Sequence, residues 1–449
     1  MVAIITDKLK GQLVKSMLSE YDNGTNRYFI GLGASEAWDS SDTPPTPTNT
    51  ERTERQLRYK LQAVKGVLDA SLVVTRYNWS SGTIYQQFND NSSGQATRYY
   101  VITDENKVYV CIRQGKDTNG NAVISTVQPT STSATALTEL ADGYVWKYLY
   151  TVAAQDATRF LTANYMPVKF VDSATSGDTY YSQYLVKEAA KSGQIIGYRV
   201  TNAGSGYTTP GTLNVTITGN GTGAHARAVI TSSNTIGAIE VDESAGGFPF
   251  GINYDYADVS ITGGGGAGAK AVPVFGPPEG IGYDPTETLR ARAINFNILA
   301  DGTEEGVFTT GNDFRQLCML RDITQYDSTA AFTAVRGLAL KQMTLSAADD
   351  FAADQLITGG TTGAKAYIDY YDDSNTIWYH QTETTGFTAF QDGEVVTTTT
   401  ATANRTADSA GKNPDFDPFS GDLLYIDNRN LSVTRSADQT EDVKVIIQL

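Results

Sequence analysis

Between Gly193 and Phe275 the sequence repeats itself. Ile195 to Ile230 contains YRVTNAGSGYTTPGTLNVTITGNGTGAHARAVI, and Ile236 to Phe275 contains IEVDESAGGFPFGINYDYADVSITGGGGAGAKAVPVF. Both hold a strand, a Gly turn followed by an aromatic residue, a strand ending in Ile-Thr-Gly, a Gly cluster, and a small-residue strand ending in aliphatics. Placing Val215, Ile217, Thr218 and Gly219 on Val259, Ile261, Thr262 and Gly263 sets the register. Gly supplies positive-φ turns and β-branched residues favour strands, so the segment is expected to be a tandem small β-module inserted in a larger fold. Phe351 to Val396 repeats the theme loosely, with Ile357-Thr358-Gly359-Gly360, then Gly363-Ala364-Lys365-Ala366 and a strand rich in Tyr and Trp. The Thr397–Thr400 run and the polar segment up to Lys412 are expected to loop back to the body.

The rest of the chain is organised around strands as well. With 42 Gly and 26 Tyr against 4 Trp in 449 residues, an all-helical architecture is excluded and several domains are expected. Lys+Arg 34 against Asp+Glu 50 leaves a net charge of −16, with no basic run, which argues against duplex nucleic acid as a partner. No stretch approaches the roughly 20 apolar residues of a bilayer span, and Met1 to Asp7 carries no charged region ahead of its apolar residues, so neither membrane insertion nor a secretion signal is expected. Cys111 and Cys318 lie far apart without metal-ligand spacing, which indicates neither a disulfide framework nor a zinc site. With His225 and His380 as the two histidines, catalysis would rest mostly on carboxylates.

Apolar spacing predicts a helix from Thr6, as N-cap, to about Tyr21, with Leu9, Leu13, Val14, Met17 and Leu18 on one face. The Pro-rich stretch Asp42 to Thr50 reads as a surface loop. A second helix opens at Glu51, its apolar stripe running Leu57, Leu61, Val64 and Leu68. From Leu72 the period becomes strand-like: Arg98–Ile102 and Lys107–Arg113 form a hairpin, Thr126–Thr138 a loop, and Tyr144–Val152 an aromatic strand.

Local motifs that suggest chemistry have simpler readings. Gly219–Gly223 and Gly263–Gly268 lack the Lys-Ser/Thr of a phosphate loop and lead into no helix, so they read as turns. Acidic neighbours such as Asp349-Asp350 and Asp372-Asp373 read as solvated loop residues, without the closing Glu of a calcium loop. Ser35 in Gly-Ala-Ser-Glu-Ala lacks the second Gly of a nucleophile elbow and has no nearby His in sequence. His225, in a small-residue strand, and His380, beside Trp378 and Tyr379, read as structural or surface residues. Tyr-rich strand faces favour a core or a protein interface over sugar or base stacking.

Several separated segments then converge. Phe29-Ile30-Gly31-Leu32-Gly33-Ala34-Ser35-Glu36-Ala37-Trp38 before a Pro-rich loop, Leu68-Asp69-Ala70 leading to Arg76-Tyr77-Asn78-Trp79, Val108-Tyr109-Val110-Cys111, Asp142-Gly143-Tyr144-Val145-Trp146-Lys147-Tyr148-Leu149, Phe314-Arg315-Gln316, and Tyr425-Ile426-Asp427-Asn428-Arg429 with Asp438-Gln439-Thr440-Glu441 occur in that order. In these blocks the chain resembles the gene-eight baseplate wedge protein family of T-even-type contractile-tailed phages. The blocks cover roughly residues 1–172, 290–325 and 420–449; the Gly-rich double repeat and 351–406 depart from the family and read as insertions. The resemblance implies a mainly β fold with a few helices (α+β), a multi-domain β-sandwich-like body carrying small Gly-rich β-modules. It divides the chain into an N-terminal body, 1–190; the tandem repeat, 191–276; body continued, 277–346; a second inserted module, 347–406; and C-terminal strands, 407–449. It further implies a non-enzymatic virion protein of the tail baseplate, assembled in the host cytoplasm without cofactor or metal. As a homodimer it would clamp other wedge proteins and move with them when the baseplate triggers sheath contraction; a rival reading makes the insertions capsid- or fibre-docking modules of an adaptor at the baseplate rim. The family-motif positions, expected to serve packing or an interface, are Gly33, Ser35, Glu36, Trp38, Trp79, Gly143, Tyr144, Trp146, Tyr148, Asn428, Asp438 and Gln439. A rival from another class is a tail-associated glycan-binding or glycan-cleaving protein presenting Tyr254, Tyr256, Trp378 and Tyr379 to sugar.

Overall fold

In the computed structural model, residues 4–38, 41–91, 97–245, 248–308, 310, 313–404 and 413–449 are described. Part of the expected return loop, 405–412, lies outside them. The fold is mainly β, built of antiparallel sheets with five α-helices among the described residues. The chain forms two compact units, Met1–Ser16 with Ser71–Asn295 and Gln448–Leu449, and Met17–Ala70 with Phe296–Ile447. The tandem repeat lies inside the first unit and the 347–406 segment inside the second, while residues 1–190 are divided between them.

The first unit is centred on a four-stranded sheet ordered Tyr100–Ile102, Lys107–Arg113, Val145–Thr151, Thr138–Glu139. The expected hairpin forms, with Asn106 at φ 59° in its turn. Its apolar face packs Val101, Tyr109, Cys111, Tyr144, Trp146 and Tyr148 with Tyr85 and Val186, the last from the Tyr181–Ala189 helix. The Asp142-Gly143 step is a turn with a tie. Gly143 takes φ 78°, and the Asp142 carboxylate accepts from the Ser125 hydroxyl and from the Thr126 and Val127 N–H groups at 2.7–3.0 Å.

The repeat folds differently from two modules in tandem. Asn214–Gly219 and Ala257–Thr262, the equivalent strands of the two copies, pair antiparallel with Val215 opposite Ile261 and Ile217 opposite Val259. The opening strand of the first copy, Ile195–Ser205, pairs with the closing strand of the second, Ala267–Phe275, and the opening strand of the second, Ile236–Val241, pairs with the closing strand of the first, Ala226–Ile230. The copies thus interlock about a local two-fold. Each copy pairs with the other along all three of its main strands.

In the second unit a five-stranded sheet runs Arg336–Leu338, Leu61–Gly66, Tyr28–Gly33, Asp313–Arg321, Asp422–Thr434. It is covered on both faces, so its strands read as near-continuous apolar runs. Ile30, Leu32, Ala63 and Leu317 pack towards Ile298, Ala300 and Val445 of a second sheet layer, the sandwich core. Phe29, Leu61, Val64, Cys318 and Leu320 face Leu57, Phe332 and Phe416 on the other side. Here the second helix is shorter than expected. It spans Glu51–Tyr59, capped by the Thr50 hydroxyl, and Leu61–Gly66 is a strand. Pairing on both edges, with Tyr28–Gly33 and Arg336–Leu338, overrides the helical spacing of Leu61 and Val64, and Leu68 stays exposed. The first helix, Asp7–Asp22, starts as expected at Thr6, but of its apolar residues Val14 alone is buried, and Leu9 and Leu13 are about half exposed.

The glycines of Gly31-Leu32-Gly33 are packing positions. A Cβ at Gly31 would meet Cys318 Sγ and Leu61 Cδ1 at 2.7 Å, and one at Gly33 would meet the Lys60 carbonyl at 2.4 Å, where the strand pairing shifts register. Gly33→Ala is therefore expected to cost about 1–3 kcal/mol by overpacking, read as a lower urea midpoint with unchanged slope.

Residues 341–404 form a six-stranded sheet ordered Lys341–Thr344, Thr376–His380, Lys365–Tyr371, Leu356–Gly359, Val395–Thr397, Thr402–Asn404. One face carries its own core of Met343, Leu345, Ile357, Ala366, Ile368, Ile377, Tyr379 and Val396.

Candidate functional site

The polar centre of the second unit is assembled from three segments. The loop leaving Tyr28–Gly33 is pinned at Ala34, whose N–H donates to the Lys60 carbonyl and whose carbonyl accepts from the Arg315 N–H, both at 3.0 Å. Ser35 and Glu36 follow. From the six-stranded sheet come Asp369 and His380, on neighbouring strands, and from Leu61–Gly66 comes Gln62.

Asp369 is fully enclosed, at 0% exposure, and a carboxylate there needs partners. Its Oδ1 accepts from the Ser35 hydroxyl at 3.1 Å and from Gln62 Nε2 at 3.2 Å, and its Oδ2 from His380 Nδ1 at 2.6 Å. His380 Nε2 donates in turn to Glu36 Oε1 at 2.9 Å, and Lys60 Nζ lies 3.4 Å from Glu36 Oε2. Because carboxylates accept from both ring nitrogens, the ring is an imidazolium. Burial alone would depress its pKa, but Asp369 and Glu36 together raise it to about 10. Burial likewise would lift Glu36, yet the His380 hydrogen bond and charge, with Lys60, bring it down to about 2.

This geometry settles what the group can do. Ser35 is 1% exposed and donates to Asp369, not to His380, and His380 has no lone pair left to accept a proton. A nucleophile activated by a base is not what is built here. The group is a charged brace between the Gly33–Trp38 loop and the six-stranded sheet, buried where its ion pairs are weakly screened.

Beside the brace lies a cleft of about 540 Å³ lined by Glu36, Trp38, Tyr367, Arg52 and Asn428 among others. Its polar walls are engaged internally. Trp38 Nε1 donates to the Arg429 carbonyl at 3.2 Å, Gln316 Nε2 to Asn428 Oδ1 at 2.6 Å, and Asn428 Nδ2 to the Pro45 carbonyl at 2.8 Å.

Comparison with protein-family models gives no match. No curated protein matches the chain either.

The positions expected from the resemblance gather in separate places. Gly33, Ser35, Glu36, Trp38 and Asn428 meet around this brace and cleft. Trp79, Tyr144, Trp146 and Tyr148 line the aromatic core of the first unit beside the Gly143 turn. Tyr144 Oη donates to the Val123 carbonyl at 2.7 Å and Trp79 Nε1 to Ser125 Oγ at 3.3 Å. Asp438 and Gln439 lie in the turn before Thr440–Gln448, where the Gln439 carbonyl accepts from the Gly302 N–H at 2.9 Å. The aromatics of the glycan rival differ in exposure. Tyr254 and Tyr379 are core residues, and Trp378 is paired with Tyr370 at 5.1 Å; of the four, Tyr256 alone is broadly exposed. Among the described residues no His/Cys/Asp/Glu group could hold a metal ion, and no helix is long and apolar enough to cross a membrane. Both cysteines are buried, and burial pushes the Cys318 thiol up to about 12. Sequence reasoning missed Asp369 and Gln62. The available signal was a lone acid inside the apolar strand Ala366-Tyr367-Ile368-Asp369-Tyr370-Tyr371, which a buried strand carries only when the charge is paired.

Proposed function

We propose that the chain is a non-enzymatic structural subunit of a phage tail baseplate wedge. As a homodimer it holds neighbouring wedge proteins in the pre-attachment arrangement, and it follows as a rigid body when the baseplate rearranges to trigger sheath contraction. Its place is the virion tail, after assembly in the host cytoplasm. The observation that carries this reading is where the colinear blocks meet. Gly31 and Gly33 pair with Cys318 and Gln316, which pair with Ile426 and Asn428, and Trp38 bonds Arg429 across 391 positions of sequence. Three of the blocks, far apart along the chain, thus meet in one packed sheet, as expected if a shared scaffold is what the resemblance marks. The brace supports the mechanical role, because its histidine and carboxylates serve cohesion. The interlocked repeat, with its largely exposed strands Asn214–Gly219 and Ala257–Thr262, suits a peripheral fibre contact.

Light scattering on the chain alone and mixed with the wedge proteins of its own genome tests this. A dimer that enters a larger complex is the expected result. A chain that stays monomeric and ignores those proteins contradicts it.

A further inference from the structure

An aromatic groove of about 360 Å³ opens on the second unit, with Tyr59 shared between it and the brace cleft and His380 in its wall. Tyr59, at the end of the Glu51–Tyr59 helix, packs between Phe387, tilted at 37°, and Phe419, edge-on at 62°, with ring centroids 4.9 and 5.3 Å away. Phe387 is 54% exposed, Phe419 50% and Tyr326 37%, an unusual concentration of open aromatic surface. In the groove wall Lys341 is half-buried and makes no ion pair among the described residues, although Asp327 and Asp417 lie on the same rim; burial lowers its pKa with no neighbouring charge to offset it.

Aromatic-lined grooves of this kind fit extended proline-rich chain, whose rings stack on aromatic faces and whose backbone has little entropy left to lose. The same protein displays such a segment. Thr43-Pro44-Pro45-Thr46-Pro47-Thr48 has neither helical nor strand structure, Pro45 to Thr50 are all exposed, and Glu51, next in sequence, has a 95% exposed side chain. Within its own chain Pro45, Thr46 and Pro47 line the brace cleft. The Pro45 carbonyl is tied to Asn428, and the helix between Pro47 and Tyr59 is about 13 Å long.

We propose that the Tyr59/Phe387/Phe419 groove receives the Thr43–Thr48 segment of a second copy of this chain, with Glu51 of that copy as the counterion of Lys341. Groove and segment are both on one unit, so reciprocal docking closes a pair, and one-way docking builds an open chain of copies. This inference does not rest on the wedge reading.

The test uses the full chain and a fluorescein-labelled peptide of residues 41–51. Saturable binding is expected, weakened at least tenfold by Phe387→Ala with Phe419→Ala, and by Pro44, Pro45 and Pro47→Ala in the peptide. Both phenylalanines are about half exposed, so the double variant keeps its fold, checked by circular dichroism. The second readout is mass by sedimentation. If copies already fill the groove and exclude the peptide, the groove variant and a chain carrying the three Pro→Ala changes both lose mass relative to the native chain. Peptide binding with equal affinity to native and groove-variant chains overturns the proposal. So does absence of binding together with masses that neither set of changes alters. Either result leaves binding to wedge proteins unaffected as a separate question.

Discussion

Replacing His380 by Ala is expected to cost about 3–5 kcal/mol, because it strands the Asp369 carboxylate at 0% exposure without its cation. Ser35 and Gln62 still donate to Asp369, which keeps the loss within that range. Thermal unfolding and hydrogen exchange of 28–38 and 365–380 measure it. Adding Asp369→Asn removes the stranded charge and recovers part of the loss, whereas a packing defect alone would leave the two substitutions additive.

The brace also sets a pH window. His380 rises from 6.5 to about 10 on folding, so its contribution is complete below 6.5 and is lost as pH climbs through 10. Glu36 falls from 4.5 to about 2, so its contribution is complete above 4.5 and is lost as pH drops towards 2. The second unit is therefore expected to be most stable between pH 4.5 and 6.5 as far as these two groups decide it. In the His380→Ala chain the decline above pH 6.5 disappears.

The other large effect belongs to the first unit. Trp146 is 2% exposed, stacked on Tyr144 at 5.9 Å with an interplanar angle of 17° and edge-on to Tyr85 at 5.5 Å. Trp146→Ala removes the centre of that core and is expected to cost about 3–5 kcal/mol. Its indole N–H has no hydrogen-bond partner among the described residues, so Trp146→Phe forfeits volume but no hydrogen bond and costs clearly less. Exchange in 99–113 and 144–152 should accelerate in the Ala chain. If the two substitutions cost the same, cavity formation is not what the residue opposes.

Much of this architecture is legible in sequence where the determinants are local. Thr6 and Thr50 cap helices as their positions suggest, Asn106 turns the hairpin, and Gly143 takes the positive φ that its place after Asp142 calls for. What is not legible is set by partners distant in sequence. Leu61 and Val64 keep helical spacing with Leu57, yet two strands claim them, and the cost of leaving those strand edges unpaired outweighs propensity. The internal repeat is plain, but its exchange of strands is not, since likeness between the copies does not say which opening strand takes which closing strand. The brace joins Glu36 to His380 over 344 positions, so no spacing rule announces it. Its one trace is Asp369, a charge where an apolar strand should have none.

Cryo-electron microscopy of the assembled tail is the most direct test of the wedge assignment. Density in the baseplate wedge is expected to accommodate both units, in paired copies, each against other wedge proteins. A baseplate complete without this chain, or the chain located in another part of the particle, would contradict it.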